Sequence, residues 1–277
     1  MPRPIWSGAI SFGLVNVPVK LFSATSPKDV RFHQIDAKTN ARVKQKRVSA
    51  ATGEEVPYED IVKGYELRPD TYVTITPEEL ETLEPKATKT IDIEDFVDLD
   101  QIDPIFFERP YYLVPDKGGA KAYALLRAAM QETNKVGIAR VVLRTKQYLA
   151  AIRAKDDVLV LETMLFPDEV NPTEDLDLPG EEVDVSGREE KMARQLIDSL
   201  TTEFEPDKYH DEYREKVLAL IEQKAAGQEI VVEEPTEEPT KVVDLMAALE
   251  ASLAAVKKGR DDDGADEGGK KKAKSSS

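Results

Sequence analysis

Hydrophobic and polar positions alternate along the N-terminal part of this chain. From Ser7 to Phe22 the apolar residues run first as Ile10, Phe12 and Leu14, then on the other phase as Val15, Val17, Val19 and Leu21. A period of two lines one face of a strand, and the change of phase beside Gly13 predicts a bulge or a barrel bend. Arg42 to Ser49 alternates too, but Val43, Gln45, Arg47 and Ser49 oppose Arg42, Lys44, Lys46 and Val48, so neither face is apolar enough for a core. Such a ribbon predicts a strand pair projecting from the body into solvent or against a polyanion. Thr76-Pro77-Glu78-Glu79 is a capping box with Pro at the first helical position, predicting a short helix to about Leu83. Strands follow at Thr88 to Val97 and Pro110 to Val114. Lys121 to Lys135 then has helical spacing, with Tyr123, Leu126 and Met130 on one side and Leu125 close by. Val136 to Arg144, Gln147 to Ala154 and Val158 to Phe166 are separated by short turns, which predicts an antiparallel meander.

Past Asp168 an acidic loop with Pro172, Pro179 and Gly180 leads to Ser186-Gly187-Arg188-Glu189, a second capping box. The helix it opens aligns Met192, Leu196, Ile197 and Leu200; after Pro206 a second helix carries Tyr209, Tyr213, Val217, Leu220 and Ile221. Helices striped in this way need a partner surface. Residues 228–240 are acidic and proline-bearing, which predicts a flexible linker. Beyond them a short amphipathic helix presents Val242, Leu245, Met246, Leu249 and Leu253 on one face, and is too isolated to bury it within the chain. The low-complexity end, with Lys270, Lys271, Lys272 and Lys274, is expected to be disordered. The division expected is a mixed β/α core over 1–185, a helical arm over 186–227, the linker 228–240, the amphipathic helix 241–256 and a tail 257–277.

Composition changes this picture through charge. The chain of 277 residues carries a formal charge of -16, which by itself disfavours a polyanionic partner. The distribution reverses that reading: residues 1–50 sum to +7 and residues 121–155 to +7, set between segments of -12 and -18. Two basic blocks in an acidic chain predict one positive surface on an otherwise repelling molecule. With no cysteine there is neither a disulfide nor a thiolate zinc site. No apolar run approaches bilayer length and the start Met1-Pro2-Arg3-Pro4 has no signal-peptide core, which predicts a soluble cytoplasmic protein with no membrane partner.

Candidate chemistry is sparse. His33 and His210 sit in no ligand-spaced motif, and Asp92, Glu94, Asp95, Asp98, Asp100 and Asp103 lack the spacing of a calcium loop. Lys117-Gly118-Gly119-Ala120 lacks the spacing of a phosphate loop. Asp207 with Glu222-Gln223-Lys224 has the residue types of a metal-dependent nuclease, but falls where helix is predicted rather than on strands. The basic segments are more informative. Arg42, Lys44, Lys46 and Arg47, with Lys28 and Arg31 upstream, and Arg140, Arg144, Lys146 and Arg153 on the later strands, are suited to follow a phosphate backbone. Nothing matches a recognition helix, a zinc finger or an aromatic stacking platform, so sequence-specific and single-strand readout are not expected.

Arg3-Pro4-Ile5-Trp6-Ser7-Gly8-Ala9-Ile10-Ser11-Phe12-Gly13-Leu14-Val15-Asn16-Val17-Pro18-Val19-Lys20-Leu21 resembles the N-terminal signature of bacterial Ku. The likeness continues through Arg31-Phe32-His33-Gln34, Glu55-Val56-Pro57-Tyr58, Tyr111-Tyr112-Leu113, Val136-Gly137-Ile138-Ala139-Arg140 and Pro206-Asp207-Lys208-Tyr209-His210-Asp211, so it covers residues 2–256. The resemblance implies a β-barrel whose extended strand bridge meets that of a second copy, closing a homodimeric ring around the end of double-stranded DNA, with helical arms embracing the partner. It implies a scaffold for non-homologous end joining with no catalysis and no cofactor, placed with the nucleoid. The segment Asp244 to Leu253 resembles the family's element that recruits an ATP-dependent end-joining ligase or polymerase. Many relatives carry a Cys-x-x-Cys pair where this chain has Ser49-Ala50-Ala51-Thr52, so no metal is expected here.

Overall fold

Seven strands close on themselves because each finds a hydrogen-bonding neighbour on both sides. In chain order they are β1 (Trp6–Phe12), β2 (Val15–Ser23), β5 (Thr90–Asp98), β6 (Phe107–Pro115), β7 (Lys135–Leu143), β8 (Lys146–Lys155) and β9 (Val158–Met164). Around the barrel the order is β1-β2-β6-β9-β8-β7-β5. All seams are antiparallel except the last, where β5 meets β1 in parallel over Ala9↔Thr90, Ile10↔Ile91 and Ser11↔Asp92. The structure, a computed structural model, describes residues 3–83, 89–180, 183–227 and 246–254. The chain forms two compact units, Met1–Thr173 and Glu174–Ser277.

The phase change at Gly13 is a hairpin rather than a bulge. Phe12 pairs with Val15, leaving Gly13 and Leu14 as a two-residue turn in which Gly13 has φ 59°. Reversing the chain there brings Ile10 opposite Val17 and Trp6 opposite Leu21, so Ile10, Val17, Val19 and Leu21 point into the barrel, while Leu14 in the turn and Val15 beside it are exposed. With Ile91, Leu113, Ala139, Val141, Ala150, Ile152, Leu159 and Leu161 they form the core. The β7–β9 meander lies where the sequence places it.

Helix α2 (Ala120–Thr133) closes one end of the barrel through the stripe Tyr123, Leu126 and Met130, all buried. Leu125, on the other side, is exposed. The Tyr123 hydroxyl donates to the Leu113 carbonyl at 2.7 Å and accepts from the Leu159 amide at 2.7 Å, joining helix, β6 and β9. Burial pushes its pKa up, because the phenolate would be charged away from water. Where β6 leads into α2, Lys20 sits 2.7 Å from Asp116 and holds that carboxyl below its ordinary range. A second apolar cluster, Val136, Ala151 and Met164, lies on the outer face of the meander under Ile102, Phe106 and Phe107.

The segment at 42–49 is not a strand. Single bridges at Ile35↔Arg42 and Val48↔Glu55 hold it, and it is exposed from Arg42 to Val48. With no apolar face to bury, it has nothing to keep it in a sheet. The strand pair that stands apart is β3 (Lys63–Arg68) with β4 (Thr71–Ile75), paired to each other alone. The capping box gives α1 (Pro77–Leu83), where the Thr76 hydroxyl accepts from the Glu79 amide at 3.2 Å and the Glu79 carboxylate from the Thr76 amide at 2.9 Å.

In the second unit α3 (Gly187–Leu200) opens on the Ser186–Glu189 capping box. α4 begins later than the spacing suggests: Pro206–Lys208 is a 3-10 turn, and the helix runs over Glu212–Ala225 with Asp211 as its cap. Tyr209 therefore lies outside the helix, stacked on Phe204 at 5.8 Å. Neither helix has a buried residue. A helix, α5, spans 246–254, and Arg188 Nη2 contacts Glu250 Oε1 at 3.2 Å. The linker, the tail, Val242 and Leu245 lie outside the described residues. Among the described residues no helix is long and apolar enough to cross a membrane.

Replacing Tyr123 by Phe strands a buried amide and carbonyl together, and is expected to cost about 1–3 kcal/mol in chemical denaturation. The folded phenol holds its proton more tightly than the unfolded one, so its contribution is complete below the unfolded pKa and is lost as pH rises through the folded value. The stability margin of wild type over Tyr123→Phe should hold through neutral pH and shrink above about pH 10.

Candidate nucleic-acid interface

The first basic block stands on the exposed excursion between β2 and β3. Two local reversals shape it: the Val43 amide donates to the Gln34 carbonyl at 3.0 Å, and the Val56 amide to the Arg47 carbonyl at 2.9 Å. Arg42 Nη2 lies 2.9 Å from His33 Nδ1, and the Arg47 guanidinium is 5.2 Å from the centre of the Tyr58 ring. Lys46 reaches Glu55 at 2.6 Å, although both side chains remain largely exposed. Arg31 and Lys44 are exposed and have no side-chain partner among the described residues. Gln45, Lys46, Arg47, Glu55, Val56 and Tyr58 line a groove of about 580 Å³. At the tip, Ser49 Oγ and Thr52 Oγ1 accept from the Ala51 and Glu54 amides at 3.3 Å each, so the hydroxyls close a turn.

The second block is divided by the barrel wall. Arg140 and Arg153 point outward from β7 and β8, in the opposite phase to Ala139, Val141 and Ile152. Arg153 makes a paired contact with Glu162 at 3.1 and 3.0 Å, and these bonds raise its pKa against the opposing effect of burial. Its charge is thereby neutralised within the fold, a pairing the sequence spacing did not reveal. Arg140 is held more loosely, 3.4 Å from Glu94. Lys146 lies 3.6 Å from Glu169 and 5.1 Å from the centre of the Tyr148 ring.

Arg144 occupies the turn between β7 and β8, at the barrel end opposite α2. There Trp6, Tyr111, Leu143 and Tyr148, from four strands, surround a cavity of about 150 Å³ with Arg109 and Arg144 at its edge. Arg109 was not among the expected cations. It follows an acidic residue on β6, and only the register, which puts it two residues before the inward Tyr111, carries it to this mouth. The two blocks thus line separate cavities in the single chain. Asp207 sits in a 3-10 turn, Glu222 and Lys224 on the exposed surface of α4. Among the described residues no three His, Asp or Glu side chains converge as a metal site. Met246, Leu249 and Leu253 are half-buried on α5.

The comparisons agree with this architecture. Residues 11–194 match the family model described as the Ku70/Ku80 beta-barrel domain. The chain is similar to a protein of Anaeromyxobacter sp. named "Non-homologous end joining protein Ku", 51% identical over 95% of this chain and 88% of that one. A protein of the same name from Heliobacterium modesticaldum is 49% identical over 92% of each chain. One from Mycobacterium tuberculosis is 41% identical over 91% of this chain and 95% of its own length. With a matching family model over the barrel and relatives of this closeness along nearly the whole chain, the protein belongs to the Ku family.

Proposed function

We propose that two copies of this chain form a ring that binds the ends of double-stranded DNA in non-homologous end joining, protects them and recruits a ligase, without catalysing a reaction itself. The observation that carries this reading is the surface a single copy leaves uncovered. β3 is exposed along its whole length, and Tyr65, Leu67, Tyr72 and Val73 of the β3–β4 pair are all large, apolar and open to water. An isolated two-stranded ribbon is at best marginally stable, and a second copy crossing it would bury that surface. The arm makes the same demand, since Ile197, Leu200, Phe204, Tyr213 and Ile221 are exposed in the absence of a partner.

Cations supply the attraction. The exposed Arg31, Arg42, Lys44, Lys46 and Arg47 on the excursion, with Arg140, Arg144 and Lys146 on the barrel, would contact phosphate without reading bases. Arg153 is the weakest member of the set because Glu162 already satisfies its fork. Separate in one chain, the two blocks would meet across a ring made from two. Preference for ends then follows from topology: a closed ring threads a free end and has no entry onto covalently closed DNA. The relatives' shared name places them in non-homologous end joining, and a protein with this task would work in the cytoplasm at the nucleoid. The half-buried Met246, Leu249 and Leu253, with Val242 and Leu245 before them, would present the ligase with a helical docking face.

In a gel-shift assay the protein should retain linear duplex and release covalently closed circles of the same sequence; equal retention would sink the ring. Reversing Lys44, Lys46 and Arg144 together should weaken linear binding and flatten the dependence of log K on log salt by roughly 5, since each copy in the ring loses three contacts. Leu249→Asp should abolish ligase stimulation while linear DNA binding persists, and loss of both together would count against a separable recruiting helix.

A further inference from the structure

The turns of the barrel expose an arginine that local geometry does not call for. At the first position of the β1–β2 turn the backbone has φ 59° and the residue is Gly13; at the corresponding position of the β8–β9 turn it has φ 49° and the residue is Asp156. These are residue types that tolerate a left-handed backbone. The β7–β8 turn holds φ 60° at Arg144, a residue with no such tolerance. Strain retained at one position points to a use for that side chain. Arg144 has no hydrogen bond or ion pair from its side chain among the described residues, and Arg109 across the mouth has only Glu108 at 3.8 Å.

Beneath the two guanidinium groups the wall is aromatic. Trp6, Tyr111 and Tyr148 line the cavity of about 150 Å³, which is of the size of one planar base and too small for a base pair. The Trp6 ring lies over Gly8 so closely that a Cβ there would come within 2.3 Å of it, which fixes the indole at the mouth. A second cavity of about 410 Å³ shares Trp6 and Arg144 and adds Lys89, itself at φ 47°. A ring-sized aromatic slot joined through an uncommitted arginine to a wider cationic recess is complementary to a base carrying a phosphate.

We infer that the barrel mouth binds a single nucleotide, its base against Trp6 and Tyr148 and its phosphate between Arg109 and Arg144. The nucleotide comes either free from solution or as the unpaired terminal residue of a DNA strand, the chemistry being the same. Trp6 is the only tryptophan of the chain, so its fluorescence reports this site alone. Titrating full-length protein with dAMP should quench it saturably. Arg144→Gly should weaken the apparent affinity by about tenfold or more while raising the Tm, since glycine relieves the backbone; Arg109→Gln should weaken it without that rise. Adenosine should bind about tenfold more weakly than dAMP, and inorganic phosphate should displace dAMP as poorly. Quenching that does not saturate, an unchanged affinity in Arg144→Gly, or parity of adenosine or phosphate with dAMP overturns the assignment. Hairpin duplexes then distinguish the sources in competition against labelled dAMP. Displacement by a hairpin with one unpaired 5′ nucleotide but not by a blunt one identifies the strand terminus, and displacement by neither identifies free nucleotide. Equal displacement by both means that the base is not read and overturns the site. The dAMP titration stands even if linear DNA binding fails, so the two readings fall separately.

Discussion

Closure of the sheet is the constraint on which the rest of this protein depends. Once β5 pairs with β1 no edge of the barrel remains to accept another strand, and every inward position must be filled by side chains from within. What stays open to solvent therefore lies in what the barrel does not use: its turns, its mouth, the excursion between β2 and β3, the ribbon beyond it and the helices that follow. The division of labour is sharp. Apolar side chains inside the wall are buried, partly so only at its ends, whereas Tyr65, Leu67, Tyr72 and Val73 of the β3–β4 ribbon are exposed and α3 and α4 bury none. An interior already complete makes those outer apolar surfaces available for intermolecular contact.

Charge is distributed by the same logic. A net charge of -16 coexists with cations that concentrate on the excursion and on the later strands. The fold then sorts those cations by commitment. Arg153 is locked to Glu162 in the wall, Arg140 and Lys146 are held at longer range, and Arg31, Lys44 and Arg144 have no side-chain partner among the described residues. Membership of the Ku family accounts for the barrel and for the extent of the likeness along the chain.

Much of the fold was legible because its signals are local. The capping boxes at Thr76 and Ser186 fixed helix starts through side chains three residues apart, and the β7–β9 meander was marked by three apolar-rich runs with short turns. Where the sequence misled, contrast was lacking or misplaced. Lys63–Ile75 was passed over because its apolar alternation is short, two positions on each side of Arg68-Pro69-Asp70, and Arg42–Ser49 alternated without an apolar face to hold it in a sheet. The start of α4 was set by Asp211 rather than by the earlier Pro206. The mouth was illegible for another reason. Trp6, Tyr111 and Tyr148 are far apart in sequence and converge only through the register of strands that meet around a cylinder, so no stacking platform could be read from their spacing.

The parallel seam between β1 and β5 also bears on how the protein is made. The N-terminal hairpin emerges early, but its two outer partners lie at Thr90–Asp98 and Phe107–Pro115 and the cylinder is completed only with β9, ending at Met164. During synthesis the apolar face of β1 and β2 must wait, uncovered, for more than half the chain to leave the ribosome. Pairings of such long sequence separation are slow to form and exposed to aggregation meanwhile. The seam that abolishes the edge in the finished molecule is thus what prolongs its exposure in the nascent one.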